Sequence, residues 1–408
     1  MHLVVFGLTV SSSWANGHAT IWRGLCRALG ARGHCTTFFE RDVPYYAAHR
    51  DLLDLPGGRL VLYETWDDVR HAARRALATA DAAIVTSYCP DARDATALVL
   101  DAGRLAAFYD LDTPVTLARL EAGEEVPYLP ADGLSAFDIV LSYTGGAALD
   151  LLRTRLGARR VTPLYGSVDP DVYRPGRPHA AYDAVLSYLG TFAADRQPAL
   201  DALFLQSARQ RPDWRFLIGG SQYPADFTWL PNVHYVPHVW PSDHPDFYAS
   251  SRFTLNVTRG AMARLGYCPS GRLFEAAACE ATLLSDRWDG IDTFFEPDGE
   301  LILVDDADAV LAALELPEET RRRTGRAARE RVLNSHTAAH RAEALERALD
   351  RARDRAASAP ASHATGRQGS DGGADVSSIA GPPASRTEQQ QTRQPHGAGA
   401  ATSPGAQA

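Results

Sequence analysis

The chain has 408 residues, with 41 basic side chains that are all arginine, 50 Asp and Glu, and a formal net charge of −9 at pH 7. That length allows two domains of ordinary size plus a tail, 45% hydrophobic residues suffice for two cores, and the negative charge argues against broad nucleic-acid binding. Without lysine there is no Walker-type phosphate loop, no pyridoxal Schiff base and no lysine nucleophile, so any phosphate here is held by arginine.

Residues 1–7, Met-His-Leu-Val-Val-Phe-Gly, lack a basic leader region and read as a first strand. No apolar run approaches the length of a membrane span, and the expectation is a cytoplasmic protein with no transmembrane segment. The five cysteines show no metal-ligand spacing and read as reduced. Apolar, β-branched runs predict strands over residues 3–6, 35–39, 60–63, 83–87, 105–109, 137–142 and 161–164, with helical patterns between them. After a proline-rich stretch at 170–178, a second series covers 184–189, 215–218, 233–236, 253–257, 282–284 and 301–304. The fold class is therefore α/β, with two consecutive sheets and the ligand in a cleft at the carboxyl ends of their strands.

The most informative run is 266–279, Gly-Tyr-Cys-Pro-Ser-Gly-Arg-Leu-Phe-Glu-Ala-Ala-Ala-Cys. Pro269-Ser270-Gly271 predicts a turn with Ser270 at the N-cap, so the helix opens with free N–H groups and the positive end of its dipole, which suits a diphosphate. Leu273, Phe274, Ala277 and Ala278 form the buried stripe, leaving Arg272 and Glu275 on a neighbouring face. Residues 318–355 read as a charged helical stretch with a solvated face and a narrow apolar stripe of Val332, Leu345 and Leu349. Residues 356–408 are mostly Ala, Gly, Ser, Pro, Gln and Thr, and read as a disordered low-complexity tail.

Several motifs together carry a family resemblance: Leu255-Asn-Val-Thr-Arg259, Gly266-Tyr-Cys-Pro-Ser-Gly-Arg272, Phe274-Glu-Ala-Ala-Ala-Cys279 and Trp288-Asp-Gly-Ile291 in the second half, Ser11-Ser-Ser-Trp-Ala-Asn-Gly-His-Ala-Thr20, Phe108-Tyr-Asp-Leu-Asp-Thr-Pro114 and Tyr165-Gly-Ser-Val-Asp-Pro170 in the first. Over roughly residues 1–345 the chain resembles the CgeB-like (spore-maturation-type) bacterial glycosyltransferases. The resemblance implies a GT-B fold of two facing Rossmann-like domains, here an acceptor domain at 1–167 and a nucleotide-sugar domain at 168–355 with terminal helices. It implies that Glu275 binds the nucleotide ribose, that Arg272 and the Ser270 and Gly271 amides lie near the diphosphate, and that Arg196 reaches the phosphates from the loop at 190–196. Asn256 and Arg259, at the end of the strand at 253–257, are further donor-site candidates, and His238 is a candidate for the nucleobase loop.

Two positions depart from the family. Tyr267 stands where retaining relatives often carry a second glutamate, and Glu280 stands where many have glycine. On the acceptor side His18, at a helix mouth, is the candidate general base, with a capping or substrate-orienting histidine as the alternative. Asp110 and Asp112 are the other catalytic candidates, read as acceptor binding or loop capping in preference to metal binding. The expected function is metal-independent transfer of a sugar from a nucleoside diphosphate, with no cofactor, to an unknown acceptor: a glycan, a small molecule or a protein. The alternatives are a non-catalytic binding or assembly protein on the same fold and a nucleotide-sugar epimerase.

Overall fold

A computed structural model describes residues 1–358, with side chains through Arg355. The expected tail at 356–408 lies outside the described residues except for its first three, which extend the last helix to Ser358.

The first half is a seven-stranded parallel sheet. Its strands are β1 (His2–Gly7), β2 (Cys35–Arg41), β3 (Gly58–Tyr63), β4 (Ala82–Thr86), β5 (Leu105–Asp110), β6 (Ile139–Ser142) and β7 (Val161–Pro163), in the order β3-β2-β1-β4-β5-β6-β7. The central strands are apolar along most of their length because helices cover both faces. Alternate residues feed two cores: Val4, Phe6, Ala83 and Val85 on one face, and Leu3, Val5, Ala82 and Ile84 on the other.

The second half repeats the plan with β8 (Ala184–Leu189), β9 (Phe216–Gly219), β10 (Val233–Val236), β11 (Ser251–Asn256), β12 (Leu283–Ser285) and β13 (Ile302–Leu303), in the order β10-β9-β8-β11-β12-β13. All thirteen strands were anticipated, within a few residues at their ends. In each sheet the strand order reverses direction once, between β1 and β4 and between β8 and β11, and the crevice outside the carboxyl ends at such a switch point is where ligands bind.

The stretch read as one charged helical region is two helices, Glu318–Ser335 and Ala338–Ser358. The second leaves its own half. Ala342, Leu345, Ala348, Leu349 and Ala352 are buried in the first sheet's core with Leu3, Val5, Leu25 and Leu29. Periodicity revealed the stripe of Leu345 and Leu349 but not the sheet it would cover. The two crossings between halves lie side by side. Val168 N donates to His336 O at 3.1 Å and Ala338 N to Val168 O at 2.8 Å, while Arg341 Nε donates to the carbonyls of Tyr165 and Gly166 at 3.1 Å each.

Candidate functional site

One cavity opens where the carboxyl ends of both sheets face each other. It is lined from the first half by Ser13, Asn16, Gly17, His18, Thr20, Leu111 and Tyr143, and from the second by the 189–191 turn, Arg196, His238, His244, Thr258, Arg259 and the start of the Gly271–Ala278 helix with Arg272 and Glu275.

That helix starts as the sequence predicts, with one difference. Ser270 has the extended backbone of an N-cap (φ −64°, ψ 140°), but its hydroxyl makes no capping bond, so the opening amides of the helix are left to the cavity that Ser270 and Gly271 line. Arg272 is more buried than the sequence suggested, at 9% exposure. Its Nε donates to Leu189 O at the end of β8, Nη1 donates to Asn256 Oδ1 at 3.0 Å, and the guanidinium lies 4.9 Å over the Tyr188 ring. Three anchors thus fix an arginine beside an open helix N-terminus. Gly190 has to be glycine here, since a Cβ would lie 2.6 Å from Arg272 Nη2.

Arg196 lines the same cavity, its Nη1 donating to Tyr188 Oη at 2.8 Å and to Thr191 O at 3.1 Å. Its Nε is buried with no partner among the described residues. Asn256 does not reach the cavity. It is fully buried, receives Arg272 on Oδ1 and donates through Nδ2 to Ser285 Oγ at 3.0 Å, so it positions Arg272.

Glu275 lines the cavity and links both halves. Its Oε1 accepts from Thr20 Oγ1 at 3.1 Å, and Oε2 lies 3.9 Å from His244 Nδ1. His244 is partly buried, and that desolvation lowers its pKa, while Tyr173 Oη stands 3.3 Å from the same Nδ1. Thr20, His244 and Tyr173 were not recognised as site residues from the sequence. Thr20 falls inside the motif that also carries His18, but nothing in the spacing pairs it with a residue so far along the chain.

His18 sits at the first position of the His18–Ala31 helix, buried, with its backbone N–H donating to Asn16 Oδ1 at 3.2 Å. Its Nδ1 has no partner among the described residues. Burial alone pushes its pKa down to about 4, because the imidazolium is poorly solvated there. The ring is therefore neutral at pH 7, the form a base needs.

Asp110 and Asp112 do not line the cavity; Leu111, between them, does. Both are fully buried behind the wall. Asp110 Oδ1 accepts from Asp112 N and from Thr116 Oγ1, each at 3.1 Å, and burial pushes its pKa up to about 6. Asp112 Oδ2 accepts from Tyr88 Oη at 2.9 Å and faces Arg259 Nη1 at 3.5 Å across the halves. Burial raises its pKa to about 7 even against the pull of that arginine. Asp110 thus caps the turn, whereas Asp112, at the N-cap of the Thr113–Glu121 helix, makes no capping bond. Arg259 is itself held by Asp112 and by Asp195, which accepts from its Nε at 3.1 Å. Among the described residues no three His, Cys, Asp or Glu side chains come together as metal ligands.

His238 lines the cavity with an unpartnered Nε2, between the Trp14 ring at 4.5 Å and the Trp240 ring at 4.4 Å. Tyr267 has a left-handed backbone (φ 48°), with Gly146 and Gly290 on either side of its ring, and is absent from the cavity wall. Among the described residues no helix is long and apolar enough to cross a membrane.

Residues 196–347 match the family described as glycosyl transferase-like. No curated protein matches the sequence significantly. Among solved structures, sucrose-phosphate synthase from Thermosynechococcus elongatus superposes with a TM-score of 0.62 at 14% identity, over 88% of this chain and 100% of that one. Anabaena HepE in complex with UDP-glucose gives 0.59 at 10% identity over 86% and 100%. An α-glucosyltransferase in complex with UDP gives 0.58 at 11% over the same shares. The described residues thus adopt the GT-B glycosyltransferase fold, with a glycosyl transferase-like region over 196–347.

Proposed function

We propose that this protein transfers a sugar from a nucleoside diphosphate to an acceptor hydroxyl. The observation that carries the reading is Arg272, tied to Leu189 and Asn256 beside an uncapped helix N-terminus at the β8/β11 switch point, with Arg196 lining the same cavity. Glycosyl transfer leaves negative charge on the departing diphosphate. Positive groups fixed before the reaction lower the energy of that charge without having to reorganise. Two arginines and a helix dipole supply them, so no metal and no cofactor is required for this role. The structural neighbours in complex with UDP-glucose and with UDP support a uridine donor.

On this reading Glu275 takes the ribose hydroxyls in place of Thr20. His18, neutral and on the cavity wall, removes the acceptor proton, and a bound diphosphate would raise its affinity for that proton. Asp110 and Asp112 hold the turn after β5 and orient Arg259. The motifs around Ser11–Thr20 and Gly266–Cys279 support a CgeB-like subgroup, and the composition supports a cytoplasmic enzyme, with a glycan, a small molecule or a protein as the acceptor.

The deciding experiment incubates the protein with UDP-sugars and follows UDP release and the sugar product. UDP release with a transferred or hydrolysed sugar supports transfer, and an interconverted UDP-sugar marks an epimerase. Binding without turnover marks a binding protein.

A further inference from the structure

Behind the His18 loop lies a carboxylate that the proposed chemistry does not touch. Glu40 is in β2, in register with Gly7 at the end of β1, and is 1% exposed. Residues 8–17 carry the chain from β1 to the His18–Ala31 helix with neither helix nor strand to hold them. Glu40 takes up their polar groups. Its Oε1 accepts from Thr9 Oγ1 at 2.6 Å and Ser11 Oγ at 2.5 Å, and its Oε2 accepts from Val10 N at 2.8 Å and Ser11 N at 3.0 Å. Among the described residues, all four hydrogen bonds to the Glu40 carboxylate thus come from this loop.

The bonds continue to the cavity. Asn16 Nδ2 donates to Thr9 O at 2.9 Å and to Ser12 O at 3.1 Å, and Asn16 Oδ1 accepts the His18 N–H. Between them Ala15 has φ 52°, a left-handed backbone that an alanine keeps only where its surroundings impose it. The chain from Glu40 through Thr9 and Asn16 to His18 is buried throughout.

We propose that Glu40 is a positioning residue for the transfer reaction, fixing the loop 9–16 so that the His18 ring is held in its buried place on the cavity wall. The inference rests on the reading of His18 as the base. A carboxylate suits the task because both oxygens only accept, and four donors converge on it. Glutamine would turn N–H donors toward the Val10 and Ser11 N–H or toward the two hydroxyls.

The test compares Glu40→Gln and Glu40→Asp with the wild type in UDP affinity, kcat and KM for UDP-glucose cleavage, and the NMR titration of the His18 ring, assigned by its loss in His18→Ala. In Glu40→Gln, UDP affinity stays within about twofold, because its proposed contacts lie in the second half. The turnover kcat falls about tenfold or more, within the range general-base catalysis supplies. The His18 titration moves from about 4 toward its ordinary 6.5 as the loosened loop admits water. Glu40→Asp, which keeps the charge but shortens the reach, restores part of both, and it carries the test alone if the glutamine variant does not fold.

A variant with a lower melting temperature but unchanged kcat and unchanged His18 titration would overturn the proposal, making Glu40 a purely structural residue. If the wild type cleaves no UDP-glucose, the reading of function is what fails. The His18 titration still decides whether Glu40 positions the ring.

Discussion

Thr20 and Glu275, 255 residues apart, meet across the cleft: the threonine hydroxyl donates to the glutamate Oε1 at 3.1 Å. A hydroxyl from the first half thus occupies the carboxylate proposed for a ribose hydroxyl, and a nucleotide has to replace it. Glu275→Ala is expected to weaken UDP binding roughly ten- to a hundredfold, since losing a charged hydrogen-bond partner costs about 1.5–3 kcal/mol. Thr20→Val removes the competitor and is expected to tighten UDP about two- to twelvefold, a hydrogen bond being worth about 0.5–1.5 kcal/mol net. Calorimetric titration of both variants checks the pair, and equal affinities in wild type and Glu275→Ala would take the ribose away from this helix.

Asn256 provides a more selective check, because its Oδ1 holds Arg272 Nη1 at 3.0 Å without reaching the cavity. Asn256→Ala frees the guanidinium from one of its anchors and is expected to weaken UDP by about fivefold, roughly 1 kcal/mol, while uridine binding is unchanged. Arg272→Ala should show the same selectivity with a larger loss. If uridine and UDP weaken equally, the arginine does not face phosphate.

The two-sheet architecture was legible because parallel strands buried on both faces leave continuous apolar runs such as 3–6 and 82–85. Arg272, Glu275 and His18 were legible as cavity residues because each lies close to a helix start, which local signals mark, whereas Arg196 came only through the family resemblance. Asn256, Asp110 and Asp112 also stand at strand ends or just beyond them, but their side chains turn inward to hold neighbours, and strand position alone does not separate the two outcomes. Glu40, His244 and Thr20 owe their places to contacts made across loops or between halves. A glutamate near a strand end carries no sequence mark of the four donors that will converge on it.

Glu280 follows the Gly271–Ala278 helix with φ 64°, the left-handed region in which a side chain is strained and glycine is at ease. Its carboxylate also stands at the negative end of the helix dipole. The left-handed backbone costs an L residue about 1–2 kcal/mol, while glycine gives back roughly 0.5–1 kcal/mol in chain entropy. Glu280→Gly is therefore expected to raise unfolding stability by about 0.5–1 kcal/mol in urea titrations, with UDP affinity unchanged. A loss of stability would mean that the Glu280 side chain has a stabilising role that outweighs its backbone strain.

His336 ties the two crossings together and predicts how the fold responds to acid. It is 8% exposed, stacks on Phe274 at 4.9 Å, and its Nδ1 lies 2.8 Å from Arg341 Nη2, which leaves that nitrogen as an acceptor. Burial first, and then the Arg341 charge, push its pKa down to about 3 from an ordinary 6.5. The folded state therefore holds the neutral ring while the unfolded chain takes up a proton as pH falls through 6.5. Stability from this group is fully present above that pH and declines as pH drops toward about 3, with a slope of about 1.4 kcal/mol per pH unit for one proton. His336→Gln keeps an acceptor for Arg341 and removes the titration. Whatever its absolute stability, its profile between pH 6 and 4 is expected to be flatter than the wild type by about that slope, because the remaining titrating groups are common to both proteins. Urea unfolding at half-unit steps of pH measures the difference, and parallel profiles would show that His336 is protonated as readily in the fold as in the open chain.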